Sequence, residues 1–364
     1  MSYRIPIGPY HIALEEPYKI EVECEGETVV GSSIKIGFNF RGIEWLAQRK
    51  NITQGIALLE RVCGICSNVH SMSFCMTLER IGNIEVPARG QHIRMVMAEL
   101  ERLHSHLLWA GVAGELIGFQ TLFMQIFRLR ESVMDTLESI SGNRVNYSMN
   151  RIGGVNRDIR DCSKVRQVVH DVRAVTEGSL IPLLTTDKTV IARRQGVGML
   201  TREDAIAYGA VGPVARASGL DTDLRRDQPY LAYGQIDFSV PVQSAGDVLS
   251  RVVVRALEIV ESCKIVEQVL DRMPEGPIHA GKRRPPIGLC GRNAVQIYDR
   301  ERHLDLQELA KRLEPLGTVK VNEFALRAQI ENFDITVSPD GRAILKGTTN
   351  VGVARSLYAK YIGN

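Results

Sequence analysis

Apolar residues recur along this chain at two different intervals. Residues 18–40 alternate, first in YKIEVECEG and then, past a Gly-Glu turn, in TVVGSSIKIGF, which predicts two strands joined as a hairpin. NFRGIEWLAQRK then starts a helix. From residue 52 the interval lengthens. ITQGIALLERVCGICSNVHSMSFCMTLERIGN reads as helix, interrupted by a glycine at its cysteines. Ile93, Val96, Met97, Leu100, Leu103 and Leu107 stand three and four apart, so one stripe of a long helix faces a core. Leu122, Ile126, Leu129, Val133 and Leu137 mark another.

SGNRVNYSMNRIGGVNRDI is rich in Gly and Asn and reads as a loop. Helical patterns resume at CSKVRQVVHDVRAVTEGSLIPLLTTD, at TREDAIAYG and at DVLSRVVVRALEIVESCKIVEQVLDRM. Between the last two, GPVARASGLDTDLRRDQPYLAYGQIDF is long for a structureless connection, a length that points to a binding surface.

The grammar changes after HAGKRRPPIG, a basic, Pro- and Gly-rich linker at 279–288. NAVQIY is a strand, DLQELAKRLEPLG a helix, and TVKVNEFALRAQI, FDITVS and AILKGT are strands, with SPDG turning between the last two. VARSLYAKYIG closes the chain as a helix. The pattern predicts a mainly α body with a small β-hairpin over 1–278, a linker at 279–288 and a small α+β module over 289–364.

Composition narrows the function classes. A net charge of +3 without a Lys/Arg block argues against nucleic acid. MSYRIPIGPYHIALEEP lacks the basic and apolar regions of a secretory signal, and the longest apolar run is short and carries Glu115, so a membrane would be reached through partners. Seven cysteines, an odd number that includes a CxxC, favour metal or redox use in a reducing cytosol over a disulfide framework.

That CxxC lies in ERVCGICSNVH, residues 60–70. Two sulfurs on one turn can grip one metal ion, but they supply half of a tetrahedral set. A thioredoxin-type redox pair would sit in a βαβ setting, whereas long helices surround this one. From spacing alone a metal site, a redox pair and a structural turn all stay open. Cys75, in an apolar stretch, reads as core.

RVCGICSNVH resembles the first metal-binding motif of [NiFe]-hydrogenase large subunits, R-x-C-G-x-C-x-x-x-H. GPYHIALEEP resembles the family's opening motif, IGFNFRGIEWL its G-x-N-x-R-G-I-E segment, and EVPARGQHIRMVMAELERLHSHLLWAG and SGNRVNYSMNRIGGVNRDI two further blocks. The same blocks occur in the 49 kDa-type subunit of respiratory complex I, which lacks the cysteines. The resemblance is strongest to the membrane-bound, energy-converting hydrogenases and runs from residue 5 to about 278. It implies a hydrogenase large-subunit fold and a Ni–Fe centre held by four cysteines in two pairs, of which Cys63 and Cys66 match the first. It implies catalytic-site roles for Arg61 and His70, the latter orienting a cysteine sulfur, and a proton relay at Glu16 beside Glu15. It places Arg41 and His106 near the [4Fe–4S] cluster of a small iron–sulfur subunit. His104 and His106, two apart on a helix, point to different faces. Arg144, Arg151 and Arg157 together would make a positive surface for a partner or cofactor.

The resemblance further implies an oxidoreductase subunit, peripheral on the cytoplasmic side of the membrane, partnered by integral subunits that pump ions. Its chemistry would be that of protons and H2, or of quinone or sulfur. The chain departs from the family in one respect: no CxxC follows Cys66, and Cys290 stands alone. A non-catalytic scaffold is therefore an alternative. Residues from 289 resemble the tail of E1-like sulfur-carrier adenylyltransferases, whose upstream Gly-rich ATP loop is missing here, so a sulfur-carrier-interacting protein is another.

Overall fold

The computed structural model describes residues 2–12, 14, 16–281, 287–288, 293–297 and 303–363. Residues 1–50 form one compact unit and residues 51–364 a second.

The first unit is a three-stranded antiparallel sheet of β1 (Ser2–Ile7), β2 (Lys19–Glu25) and β3 (Thr28–Lys35), followed by the short helix α1 (Ile43–Ala47). β2 and β3 are the expected hairpin. β1 was not anticipated; it pairs with β2 from Ser2↔Glu25 to Ile7↔Ile20. Its alternation is broken by Pro6, and most of its side chains are exposed, so no buried face wrote a pattern into the sequence.

In the second unit, α2 (Ile52–Leu59) passes through a 3-10 turn (Glu60–Val62) and a four-residue connection into α3 (Ser67–Ile81). The Asn51 side chain caps α2 by accepting the Gln54 N–H at 2.9 Å. Two long helices follow, α4 (Ala88–Leu116) and α5 (Gln120–Ser141). Ile93, Val96, Met97, Leu100, Leu103 and Leu107 on α4 are all fully buried, as the stripe predicts, and pack with Leu122, Ile126, Val133 and Leu137 of α5 in one core. Gly111 sets the spacing of the two helices, since a Cβ there would stand 2.8 Å from the Phe127 ring. Gly142, at φ 82, ends α5 in the left-handed conformation that glycine adopts freely.

The loop that follows contains a two-stranded ribbon of β4 (Asn150–Arg151) and β5 (Gly154–Val155). α6 (Cys162–Val175) runs through a π turn into α7 (Ile181–Thr186), and α8 (Lys188–Ala192) and α9 (Arg202–Ala207) follow. The long connection is not structureless. It carries α10 (Gly212–Ala217), α11 (Leu224–Asp227) and a 3-10 turn (Tyr233–Gln235), elements too short for periodicity to register. α12 (Val248–Asp271) completes the helical core.

A separate core lies in a six-stranded antiparallel sheet. Its strands are β6 (Ile287–Gly288), β7 (Ala294–Ile297), β8 (Gly317–Val321), β9 (Leu326–Ile330), β10 (Phe333–Val337) and β11 (Ala343–Lys346), with α13 (Leu306–Leu313) before β8 and α14 (Val351–Tyr361) after β11. The strand order is 6-7-11-10-9-8. TVKVNEFALRAQI is two strands rather than one, because Asn322 turns the chain by accepting the N–H groups of Phe324 and Ala325. Cys290 and half of the expected linker, residues 282–286, lie outside the described residues.

Candidate active site around the CxxC turn

The connection between α2 and α3 folds back on its own first sulfur. Cys63 is extended and Cys66 is the N-cap of α3. Between them Gly64 and Ile65 turn the chain so that Cys63 Sγ accepts the N–H groups of Ile65 and Cys66, each at 3.3 Å. Both cysteines are half-buried. Burial first, and then the neighbouring Cys63 sulfur, push the Cys66 thiol up to about 12. Cys66 thus keeps its proton, while Cys63 is the sulfur that receives hydrogen bonds.

Beneath the turn the protein is polar and buried. Ser67 donates to the Val145 carbonyl. Glu101 reaches across from α4, and its two oxygens accept the Asn68 and Val69 N–H groups at 2.7 and 3.0 Å, so a carboxyl from another helix caps α3. Glu60, in the 3-10 turn, accepts the Ser148 N–H at 2.7 Å. Asn150 donates to Asn68 Oδ1 at 2.7 Å and to Ser71 Oγ at 3.0 Å. His104 is buried and presents Nδ1 to Arg130 at 3.3 Å. Burial, joined by the Arg130 charge, lowers His104 to about 4, so the ring is neutral.

The residues singled out from sequence separate into three places. Cys63, Cys66, Arg61 and His70 share the turn. Arg61 is exposed and donates to the Ala57 carbonyl at 2.6 Å; His70 is half-buried on the first turn of α3, its N–H 3.3 Å from the Cys66 carbonyl. Glu16 and Arg41 belong to the unit of residues 1–50 and are exposed there; Glu15 lies outside the described residues. His106 is buried on another face of α4 from His104, where its Nε2 meets Glu258 of α12 at 2.7 Å. Burial raises Glu258, but His106 and Arg216 outweigh it and hold the carboxylate at about 2. Of the three arginines read as a positive surface, Arg144 is neutralised by Glu131, Asp135 and Glu138.

Glu60 and Glu101 escaped sequence reasoning. Glu101 lies outside the apolar stripe of α4, in a Glu-Leu-Glu-Arg run indistinguishable from a solvated face. The NRIGGV turn is likewise held from a distance. Arg94 pairs with Glu79 through two bonds of 2.8 and 2.7 Å and donates to the Arg151 and Gly154 carbonyls, while Glu79 accepts the Gly153 N–H.

Among the described residues, which do not include Cys290, no four-thiolate metal cage is assembled. Among the described residues no group of three or more His, Cys, Asp or Glu is arranged to hold a metal ion. Cys75 and Cys263 are fully buried. The turn itself offers two sulfurs, Cys63 and Cys66.

The family model for the 49 Kd subunit of respiratory-chain NADH dehydrogenase matches residues 117–305, and that for nickel-dependent hydrogenases matches residues 41–110. The carbon monoxide-induced hydrogenase of Rhodospirillum rubrum is 40% identical over 288 residues, 79% of this chain and 80% of the relative. The membrane-bound hydrogenase subunit alpha of Pyrococcus furiosus is 41% identical over 285 residues, 76% of this chain and 66% of the relative. Among solved structures, an archaeal membrane-bound sulfane sulfur reductase superposes with a TM-score of 0.71 at 29% identity, covering 100% of this chain and 92% of the other. The likeness of residues 289–364 to sulfur-carrier adenylyltransferases gains no support here, since the 49 Kd match runs on to residue 305. With four-fifths of a relative covered at 40% identity, this chain belongs to the family of nickel-dependent hydrogenases and the 49 Kd subunit of respiratory NADH dehydrogenase.

Proposed function

We propose that this chain is the large subunit of a membrane-associated oxidoreductase complex and that its redox chemistry takes place at the Cys63–Cys66 turn. An adjacent small subunit with a [4Fe–4S] cluster supplies or removes electrons, and integral membrane subunits anchor the assembly on the cytoplasmic side. Among the described residues no helix is long and apolar enough to cross a membrane, so this chain would attach through those partners. The observation that carries the reading is the half-buried thiol pair over buried carboxyls, in a chain of this family. Arg61 and His70 border the same turn. Glu16 is proposed as a proton relay, and Arg41 and His106 as residues toward the cluster. Residues 289–364, with a core of their own, are proposed as a separate module after the 279–288 linker.

A second reading is favoured by the donor set. Two sulfurs do not make the four-thiolate cage of a Ni–Fe centre, whereas a dithiol suffices to cleave a sulfur–sulfur bond. Release of the central sulfur of a trisulfide consumes two electrons and two protons and yields a disulfide and hydrogen sulfide, the dithiol being oxidised to its own disulfide and then reduced again. The electrons would come from the neighbouring cluster, and the similarity to a sulfane sulfur reductase is in keeping with this chemistry.

The test is metal content and turnover of the intact complex purified without oxygen. Hydrogenase chemistry requires about one nickel per chain and H2 turnover, both lost in Cys63→Ser. Sulfur chemistry requires sulfide release from a trisulfide without nickel, also lost in Cys63→Ser. Full turnover with every acceptor in both Cys63→Ser and Cys66→Ser would overturn the assignment of the site.

A further inference from the structure

Among the described residues, two buried carboxyls lie under the thiol turn without the close, buried guanidinium partner that similar groups have elsewhere in this protein. Glu79 has Arg94, Glu99 has Arg225, and Glu258 has Arg216, each at 3.1 Å or less. Glu101 instead takes two backbone N–H groups. Glu60 takes Ser148, with the exposed Arg61 at 3.6 Å. Glu60 and Glu101 are 1% and 2% exposed, respectively.

We propose that Glu101, with Glu60 as a second buried carboxyl under the same turn, holds an exchangeable proton and serves as the proton store for redox chemistry at the Cys63–Cys66 turn. The role rests on the reading of that turn as the reacting site. The two carboxyls sense each other through low-dielectric surroundings, so ionising one opposes ionising the other.

Other groups set the balance. Arg102, next to Glu101 on α4, favours its ionised form but gives its Nε to Glu99. Glu101 bears on the Cys66 thiol and, together with Glu60, on the buried Tyr147 hydroxyl, which Arg130 of α5 opposes. Arg61 and Ser148 pull Glu60 down. Burial prevails for both carboxyls: it pushes Glu101 up to about 7, helped by Glu60, and raises Glu60 as well. A carboxyl poised there takes up and releases a proton near neutrality, as a general acid–base group must.

The test uses the intact complex with Glu101→Gln and, separately, Glu60→Gln. Infrared titration of the native complex should show a protonated-carboxyl carbonyl band that fades as pH rises through neutrality. The band should be missing in Glu101→Gln and shifted in its pH midpoint in Glu60→Gln. Turnover in Glu101→Gln should fall on the order of 100-fold with KM nearly unchanged, and the pH profile of the residual rate should flatten. Glu101→Asp should restore part of the rate and the pH dependence. A band that persists unchanged in both Gln variants would overturn the stored proton, as would a Glu101→Gln complex with native rate and native pH profile. Retention of turnover in Cys63→Ser would instead refute the reading of the turn while leaving the infrared result standing.

Discussion

His106 Nε2 sits 2.7 Å from one oxygen of Glu258, and the other oxygen lies 2.6 Å from the Arg216 guanidinium, so the carboxylate joins three helices at a fully buried point. Removing Glu258 leaves the buried Arg216 with the more distant Asp223, at 3.6 Å, and the Thr222 carbonyl. Glu258→Ala should therefore cost about 3–5 kcal/mol, whereas His106→Leu, which leaves Glu258 paired with Arg216, should cost about 1–3 kcal/mol. Denaturant unfolding of both variants checks the order; equal costs would mean that Arg216 is not anchored by Glu258. The Glu258 carboxyl is depressed to about 2, so its contribution is present above the ordinary carboxylate range and lost as pH falls toward 2.

The helices of the core were legible because each buries one stripe: the six apolar positions read on α4 are all fully buried. The hairpin of β2 and β3 was legible from its alternation. β1 was not, because it is an edge strand with little buried face, and α10 and α11 were not, because four to six residues cannot display a helical period. At the site, spacing located the turn itself. The groups beneath it were hidden, since Glu101 is 35 positions beyond Cys66 and becomes a helix cap only once α4 crosses α3. His106 read as a residue of the cluster side, yet its ring nitrogen is occupied by a residue 152 positions away that no local pattern announces.

The hydrogen bonds of the turn make its two thiols unequal. Cys63 receives two N–H groups, while burial pushes the Cys66 thiol up to about 12. Alkylation of the native protein at neutral pH, mapped by mass spectrometry, should label Cys63 first and Cys66 about tenfold or more slowly. Cys75 and Cys263, fully buried, should stay unlabelled until the protein unfolds. Equal labelling of Cys63 and Cys66 would show that the turn does not hold this geometry in solution.

The Arg94–Glu79 pair pins the ribbon of β4 and β5. A lysine cannot reproduce the four donor contacts that Arg94 makes to Glu79, Arg151 and Gly154. Arg94→Lys should destabilise the protein by about 2–4 kcal/mol, and Glu79→Ala by about 3–5 kcal/mol because it leaves the buried guanidinium without its carboxylate. Hydrogen exchange should report the loss locally, with the Gly153 and Val155 amides losing protection ahead of α12. Uniform loss across the chain would indicate that the pair supports the whole core rather than this ribbon.

Glu101 carries a pH signature of stability that its amide variant should lack. Its pKa in the folded chain, about 7, lies above the unfolded value of 4.5, so the folded state binds the extra proton between those limits. Stability attributable to the group is therefore full below about pH 4.5 and is lost as pH rises through about 7, a change of at most about 3 kcal/mol. Glu101→Gln cannot ionise, although its amide gives up one of the two acceptor positions facing Asn68 and Val69. The variant should start less stable than the native chain in mild acid and close part of the gap by mildly alkaline pH. Melting curves across that range decide the matter: a gap that stays constant, or widens as pH rises, would mean that Glu101 is ionised throughout and that helix α3 is capped by a permanent charge.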